Sequence, residues 1–293
     1  MNKEEQENYR KAGAIAKQVK EYAIIIIKPK MKLLDIAEKI ESKIRELGAK
    51  PAFPVNLSIN EIAAHSTPSY NDEQVAWGLL KIDLGIHVKG FIADTAFSIN
   101  MEKNEEYDKL IKASKEALEN AAKILKPKMN LSEIGRVIQQ TIQSYNFSPI
   151  INLSGHSLES YNIHAGITIP NYENKSQQIL EIGAYAIEPF ATSGIGLVID
   201  GKPSGIYRLE ARKGIRDSLA RKILDYIEEE YKNFPFAQRW IVKKFGARAL
   251  FSLANMEQSG ILYQYPQLIE KSHKEVSQAE HTILVSEKIE ITT

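Results

Sequence analysis

The chain has 293 residues, 43% of them hydrophobic and 26% charged, with a formal net charge of +1. That is the balance of an ordinary globular protein, long enough for one large domain or two smaller ones. It contains no cysteine, which excludes a disulfide framework, thiolate zinc sites, iron–sulfur clusters and a cysteine nucleophile. Any metal would have to be held by carboxylates and imidazoles. The near-neutral charge gives no electrostatic basis for nucleic acid as the main partner. Met1–Arg10 is polar and lacks the apolar core of a signal peptide, and Ala23–Ile27 is too short to span a bilayer. The expected setting is the cytoplasm.

Apolar residues at helical spacing predict a helix over Glu4–Ile26 and a second over Leu33–Leu47, stopped by Gly48. Strand-like segments follow at Lys50–Ser58, Trp77–Gly85 and Phe91–Asn100. The stretch from Ile82 to Thr95 reads as a β-hairpin with its turn centred between Val88 and Lys89. That register sets Asp83 opposite Asp94. Two carboxylates placed so are tolerated if they share a proton, take a basic side chain or hold a cation; the alternative is a solvated strand edge.

The tetrapeptide Lys28-Pro29-Lys30-Met31 recurs as Lys126-Pro127-Lys128-Met129, an offset of 98 residues. Ile36, Ile40 and Ile44 match Ile134, Ile138 and Ile142 at the same offset, as Ile82–Gly85 matches Leu180–Gly183. Asn56-Leu57-Ser58 recurs two residues out of step as Asn152-Leu153-Ser154. The expected architecture is therefore α+β, with two similar halves about a pseudo-twofold and a site in the crevice between them. The second half is read with strands at Pro149–Leu153, Tyr161–Ile167 and Gln178–Ala191.

Residues 201–266 have no counterpart in the first half. They read as a helical insertion within a single domain of 1–293, with helices over Leu209–Lys232, Phe236–Phe245 and Leu250–Gln258. Trp240, Phe245, Phe251 and Leu253 are its expected core. His281–Thr293 reads as a final strand.

Four further features accompany the two aspartates: Gly155-His156-Ser157, His164 within Tyr161–Gly166, Glu188 in Ile187–Thr192, and Glu280 in Gln278–Thr282. Hard oxygen donors with one imidazole, all read as lying at strand ends, suit Mn, Fe, Co or Zn. Four carboxylates neutralise two divalent ions. His87 and His273 read as surface groups, and His281 has no assignment.

The order Asp83, Asp94, His156, Glu188, Glu280 resembles the methionine aminopeptidases, and through them the wider pita-bread metallopeptidases. Phe53–His65, Gly155–Ser157, Ile163–Gly166, Glu188–Thr192, Phe236–Trp240, Tyr265-Pro266 and Gln278–Thr282 resemble the type II branch, in an archaeal-like short form, and the insertion stands where that branch carries one. The resemblance implies a pita-bread (creatinase/aminopeptidase) fold and two divalent ions. Asp83 would chelate one, Asp94 and Glu280 would bridge both, and His156 and Glu188 would complete the second. A shared water made acidic by the pair would supply the hydroxide that attacks the first peptide bond, with Glu188 moving a proton to the leaving amine. His65 and His164 match the family's non-ligand histidines, which contact the scissile amide. Phe53, Ile163 and Tyr265 would wall a methionine pocket. Many type II enzymes carry another histidine after the Glu-Pro-Phe-Ala-Thr stretch, and here Leu197–Asp200 has none.

The implied activity is removal of the initiator methionine from nascent chains whose second residue is small, by a monomer that requires no nucleic acid and no membrane. Two other readings share the scaffold: an X-Pro aminopeptidase or prolidase-like enzyme, and a non-catalytic interaction protein.

Overall fold

Two helix pairs, each joined by the same turn, frame the protein. The computed structural model describes every residue, Met1–Thr293. The first half runs α1 (Lys3–Ile26), α2 (Leu33–Glu46), β1 (Lys50–Pro51), β2 (Asn56–Ile59), β3 (Ile62–Ala64), β4 (Leu79–Val88) and β5 (Phe91–Asn100). The second runs α3 (Glu105–Ile124), α4 (Leu131–Ser144), β6 (Ser148–Pro149), β7 (Ser154–Leu158), β8 (Thr168–Pro170), β9 (Gly183–Ile187) and β10 (Phe190–Thr192).

The repeated tetrapeptide makes the same turn twice. Lys30 and Lys128 both adopt left-handed backbone, with φ of 65° and 62°. The Lys30 amide donates to the Ala76 carbonyl and the Lys128 amide to the Leu180 carbonyl, each at 2.8 Å. Met31 and Met129 accept in return from Ala76 and Leu180. The equivalent of Leu180 is thus Ala76. Ile82–Gly85 lies in the middle of β4 whereas Leu180–Gly183 leads into β9 and ends on its first residue, so that part of the sequence match has no structural counterpart. The isoleucine match does: Ile36, Ile40 and Ile44 are buried on α2, as are Ile134, Ile138 and Ile142 on α4. Each face seals its own core, one against β4 and β5 and one against β9 and its neighbours.

The hairpin forms in a shifted register. Val88 pairs with Phe91, Gly85 with Asp94 and Asp83 with Ala96. The two-residue turn is Lys89-Gly90, with φ of 52° and 95°, the doubly left-handed geometry that suits the twist of paired strands. Asp83 and Asp94 are diagonal neighbours on one face, not directly opposed. His87, expected at the surface, is 8% exposed; it packs on Phe234, ring centroids 4.6 Å apart, and accepts from the Gly90 amide.

The segment read as a strand at Tyr161–Ile167 is a series of turns, with Tyr161 itself at φ 59°. Gln178–Ala191 resolves into β9 and β10. Residues 201–266 begin in β11 (Val198–Leu209), followed by α5 (Ser218–Glu230), β12 (Phe236–Ala237), α6 (Gln238–Phe245), α7 (Ala249–Gln258) and β13 (Leu262–Glu270). The helix expected from Leu209 starts later because β11 continues through that residue to pair with β13. Trp240, Phe245 and Leu253 join this region's core, but Phe251 is 77% exposed, on the outer side of α7. The chain ends in β14 (Val276–Gln278), β15 (His281–Val285) and β16 (Ile289–Ile291), the last two forming a hairpin where one strand was expected. No helix is long and apolar enough to cross a membrane.

Candidate metal centre and substrate cavity

Five candidate donors, Asp83, Asp94, His156, Glu188 and Glu280, all line one cavity. Asp83 and Asp94 come from neighbouring strands of one hairpin, His156 from the middle of β7. Only Glu188 and Glu280 lie at strand ends, and one feature of the ladders explains both. The register that pairs Ile187 with His281 resumes at Phe190 and Gln278, so Glu188 faces Glu280 across a break between two ladders. Pro189 causes the break, since it has no amide hydrogen to donate. Thr282 locks the halves together: its hydroxyl donates to the Asp94 carbonyl at 2.8 Å and accepts from the Asp94 amide at 2.7 Å. The Glu280 amide donates to the Ala96 carbonyl at 3.0 Å.

His156 Nε2 lies 3.4 Å from Glu188 Oε1 and 3.9 Å from Asp94 Oδ2. Ligand atoms of Asp94, His156 and Glu280 all fall within 4.8 Å of one another. Asp94 and Glu280 are 2% and 1% exposed, and no lysine or arginine forms an ion pair with any of the four carboxylates. Burial pushes the Asp83 carboxyl up to about 7. Asp94, Glu188 and Glu280 are held well above the usual carboxylate range, by burial first and then by the charge of neighbouring carboxylates, Asp83 among them in each case. Burial, aided by neighbouring His164, pushes the His156 imidazole down to about 3, leaving it neutral.

The cluster fits two divalent cations. Asp83 Oδ1, Asp94 Oδ1 and Glu280 Oε2 are buried without a hydrogen-bond partner, a costly state for a carboxylate unless a cation answers it. Four negative charges and a neutral imidazole match the charge and donor preference of a pair of first-row ions.

Beside the donors lies a cavity of about 350 Å³. Phe53, Ile163 and Tyr265 line it, and so do His65 and His164. The Phe53 ring occupies the space a side chain on Gly85 would fill, since a Cβ there would overlap it. Gly85 therefore has to be glycine for the cavity wall to close. His65 sits at φ 57° with Nδ1 3.3 Å from the Pro266 carbonyl and its ring edge-on to Tyr265, centroids 5.2 Å apart. Burial pushes His65 down to about 4. His164 stands edge-on to His156, centroids 4.5 Å apart; burial and then the Arg208 charge lower its pKa.

Asn56 and Asn152, marked in the sequence by their repeat and, for Asn56, by the Phe53–His65 stretch, both line the cavity. The Asn-Leu-Ser repeat was the signal, because equivalent positions about a pseudo-twofold converge on the crevice. Asn56 pairs with Asp83 across the β2–β4 ladder, and Asn152 clasps Val198 through both its amide atoms. Leu268, Ile206 and Pro235 also line the apolar wall and carry no sequence signal of their own, while Phe190 lies in the Glu188–Thr192 stretch. His273 is exposed. His281 Nδ1 lies 3.1 Å from the Thr293 hydroxyl, on the far side of the strand from the donors.

A model of metallopeptidase family M24 matches residues 7–238, and the chain belongs to that family. Among its relatives, a methionine aminopeptidase of Methanocaldococcus jannaschii is 47% identical over 98% of this chain and 99% of its own. The solved structure of a methionine aminopeptidase from Thermotoga maritima aligns with a TM-score of 0.71 at 23% identity, covering 100% of this chain and 98% of that one. A thermophilic Arx1 structure aligns with a TM-score of 0.83 at 17% identity, covering 100% of this chain and 91% of that one. These likenesses in shape establish the pita-bread fold expected from the sequence.

Proposed function

We infer that the chain is a metal-dependent methionyl aminopeptidase of the type II branch, which hydrolyses the first peptide bond of polypeptides that begin with methionine. The observation that carries this is the convergence of five donors from both halves beside an apolar cavity flanked by two neutral histidines. Near-full-length identity to methionine aminopeptidases favours that activity over the prolidase-like and non-catalytic readings.

Asp83, Asp94, His156, Glu188 and Glu280 would hold the ions. When bound, two divalent ions acidify a water and polarise the scissile carbonyl. Phe53, Ile163 and Tyr265 hold the methionine side chain against aromatic edges, which suit a thioether. Because a carbonyl only accepts, the Pro266 contact fixes the proton of neutral His65 on Nδ1 and leaves Nε2 as an acceptor, suited to the N–H of the scissile amide. His164 donates to the carbonyl oxygen as negative charge develops there. Glu188, at the cavity wall beside His156, carries a proton to the leaving nitrogen.

Residues 1–293 act as one catalytic unit with 201–266 inserted in it, working as a monomer in the cytoplasm on the N-termini of nascent chains with a small second residue. Co, Mn, Fe and Zn all suit the donor set. The test is release of methionine from Met-Ala-Ser and Met-Lys-Ser peptides after EDTA and after adding back Mn or Co. Metal-dependent release from Met-Ala-Ser alone is expected. No release with any metal, alongside cleavage of X-Pro peptides, would overturn it.

A further inference from the structure

Glu41 on α2 and Arg239 on α6 are 198 residues apart in sequence, yet they form an ion pair in which each side chain is 3% exposed. Glu41 also accepts from the Trp240 indole at 2.7 Å and from the Val55 amide at 3.3 Å. The other terminal nitrogen of Arg239 donates to the Thr67 hydroxyl at 2.6 Å and to the Pro68 carbonyl at 3.1 Å. Thr67 in turn donates to the Val55 carbonyl at 2.8 Å. These contacts close a ring through Arg239, Glu41, Val55 and Thr67.

The ring grips the segment that builds one side of the cavity. Phe53 and Asn56 flank Val55, and His65 lies two residues before Thr67. Arg239, Glu41 and Thr67 themselves do not line the cavity. His65 holds a left-handed φ of 57°, which a non-glycine residue keeps only where its surroundings over-determine it. Its ring has one hydrogen bond, to Pro266. The direction of the imidazole therefore depends on how the backbone after it is anchored, at Thr67 and Pro68.

A buried ion pair is a poor device if all it does is join α2 to α6, because apolar side chains of similar volume hold two elements together as well or better. What the guanidinium adds is direction. Its planar fork donates along fixed lines, to a carboxylate on one side and to the loop on the other, which an ammonium cannot do.

We propose that Arg239 is a positioning residue for the peptidase reaction, setting the His65 loop through Thr67 and Pro68 while Glu41 holds the guanidinium in the orientation that reaches them. This gives the inserted region a part in catalysis, since α6 supplies the residue. The inference rests on the reading of His65 as a group that contacts substrate.

The test uses the full chain loaded with Mn and three variants: Arg239→Lys, Thr67→Val and the apolar pair Glu41→Leu/Arg239→Met. Melting temperature, bound Mn, kcat and KM on Met-Ala-Ser are measured for each. Arg239→Lys is expected to lower kcat by about 10–100-fold, the scale of a 1 Å misplacement of a reacting group, with bound Mn unchanged and KM moving less than kcat. Thr67→Val, which removes only a hydroxyl, should lower kcat in the same way to a smaller extent. The apolar pair should melt like the wild type while kcat stays low; wild-type melting together with wild-type kcat would show a merely structural pair and overturn the proposal.

A readout independent of activity separates this inference from the peptidase reading. The His65 ring proton is followed by NMR against pH, with His164 and Asp200 as the charges that bear on it. In Arg239→Lys and Thr67→Val a loosened loop lets water reach the ring, so the midpoint should rise from about 4 towards its ordinary 6.5. An unchanged midpoint in both overturns the positioning role even if the wild type cleaves Met-Ala-Ser. A wild type that releases no methionine fails the peptidase reading instead.

Discussion

The two halves share a scaffold to the level of single hydrogen bonds, yet they build the site in different ways. The Lys-Pro-Lys-Met turns repeat the same left-handed lysine and the same 2.8 Å bond to a neighbouring carbonyl. The first half then delivers two candidate donors from one hairpin, Asp83 and Asp94, set on one face by the β4–β5 ladder. The second half delivers three from separate segments: His156 from β7, Glu188 where Pro189 interrupts pairing, and Glu280 opposite that interruption. Duplication preserved what packs the helices and left the crevice residues free to diverge. A site placed between copies can draw on both without being symmetric itself.

The largest expected effect comes from removing one buried carboxylate of the cluster, Asp94 or Glu280. Asp94→Ala and Glu280→Ala should each lower kcat/KM on Met-Ala-Ser by at least about 10³-fold, the several kcal/mol a metal ion contributes. Bound metal measured by mass spectrometry should fall in both. Equal losses would show that the hairpin and the ladder break supply equivalent donors; full activity in Asp94→Ala would sink the two-ion centre.

The cavity histidines should come next. His65→Ala and His164→Ala should each reduce kcat by about 10²–10³-fold, as for loss of one preorganised polar contact to the reacting group, with bound metal unchanged. His65 belongs to the first half and His164 to the second, so the pair tests whether substrate contact is also shared between them. A loss of metal in either variant would reassign that histidine to the donor set.

Sequence and structure agree unevenly, and the reasons are local. The helices and their buried isoleucines were legible because a 3.6-residue apolar period states both the element and its inward face. The hairpin was legible, but its register was not. The twist of paired strands favours a two-residue turn with two left-handed residues, and that preference, not the symmetry of the flanking apolar runs, places the turn at Lys89-Gly90. The clustering of the five candidate donors was legible only as a set, through the family pattern, because Pro189 and the meeting of Glu188 with Glu280 involve segments about 90 residues apart. Burial of His87 was not legible, since it depends on Phe234 from the insertion.

Removing metal should affect stability more at high pH than at low. In the metal-free protein Asp83 titrates at about 7 against an ordinary 3.8, and its three neighbours are raised in the same direction. The folded chain therefore holds protons there that the unfolded chain has lost, so its stability falls as pH rises from the unfolded carboxylate range through 7. Cations compete with those protons. His156 does not enter the gap between loaded and metal-free protein, because it is neutral in both; its pKa of about 3 against an ordinary 6.5 makes both forms less stable as pH falls through 6.5. Stabilisation by Mn, about 2.7 kcal/mol per site at a hundredfold excess over Kd, should shrink steadily between pH 8 and pH 5 in paired melting curves. A gap between loaded and metal-free melting temperatures that stays constant over that range would mean the carboxylates do not hold the ion.

The smallest effect is the sharpest test of equivalence between the halves. Lys30 and Lys128 hold φ of 65° and 62°, a conformation that costs a residue with a Cβ about 1–2 kcal/mol. Glycine removes that strain but loses more entropy on folding, by roughly 0.4–1 kcal/mol. Lys30→Gly and Lys128→Gly should therefore each stabilise by about 0–1.6 kcal/mol, the difference between the two terms. If the turns are the same object, both changes agree in sign and size in urea unfolding, and the double variant adds. The two sites pack against different cores and have no partners in common, which is the condition for additivity. Opposite signs would show that only the backbone trace repeats, and that each turn carries a different load.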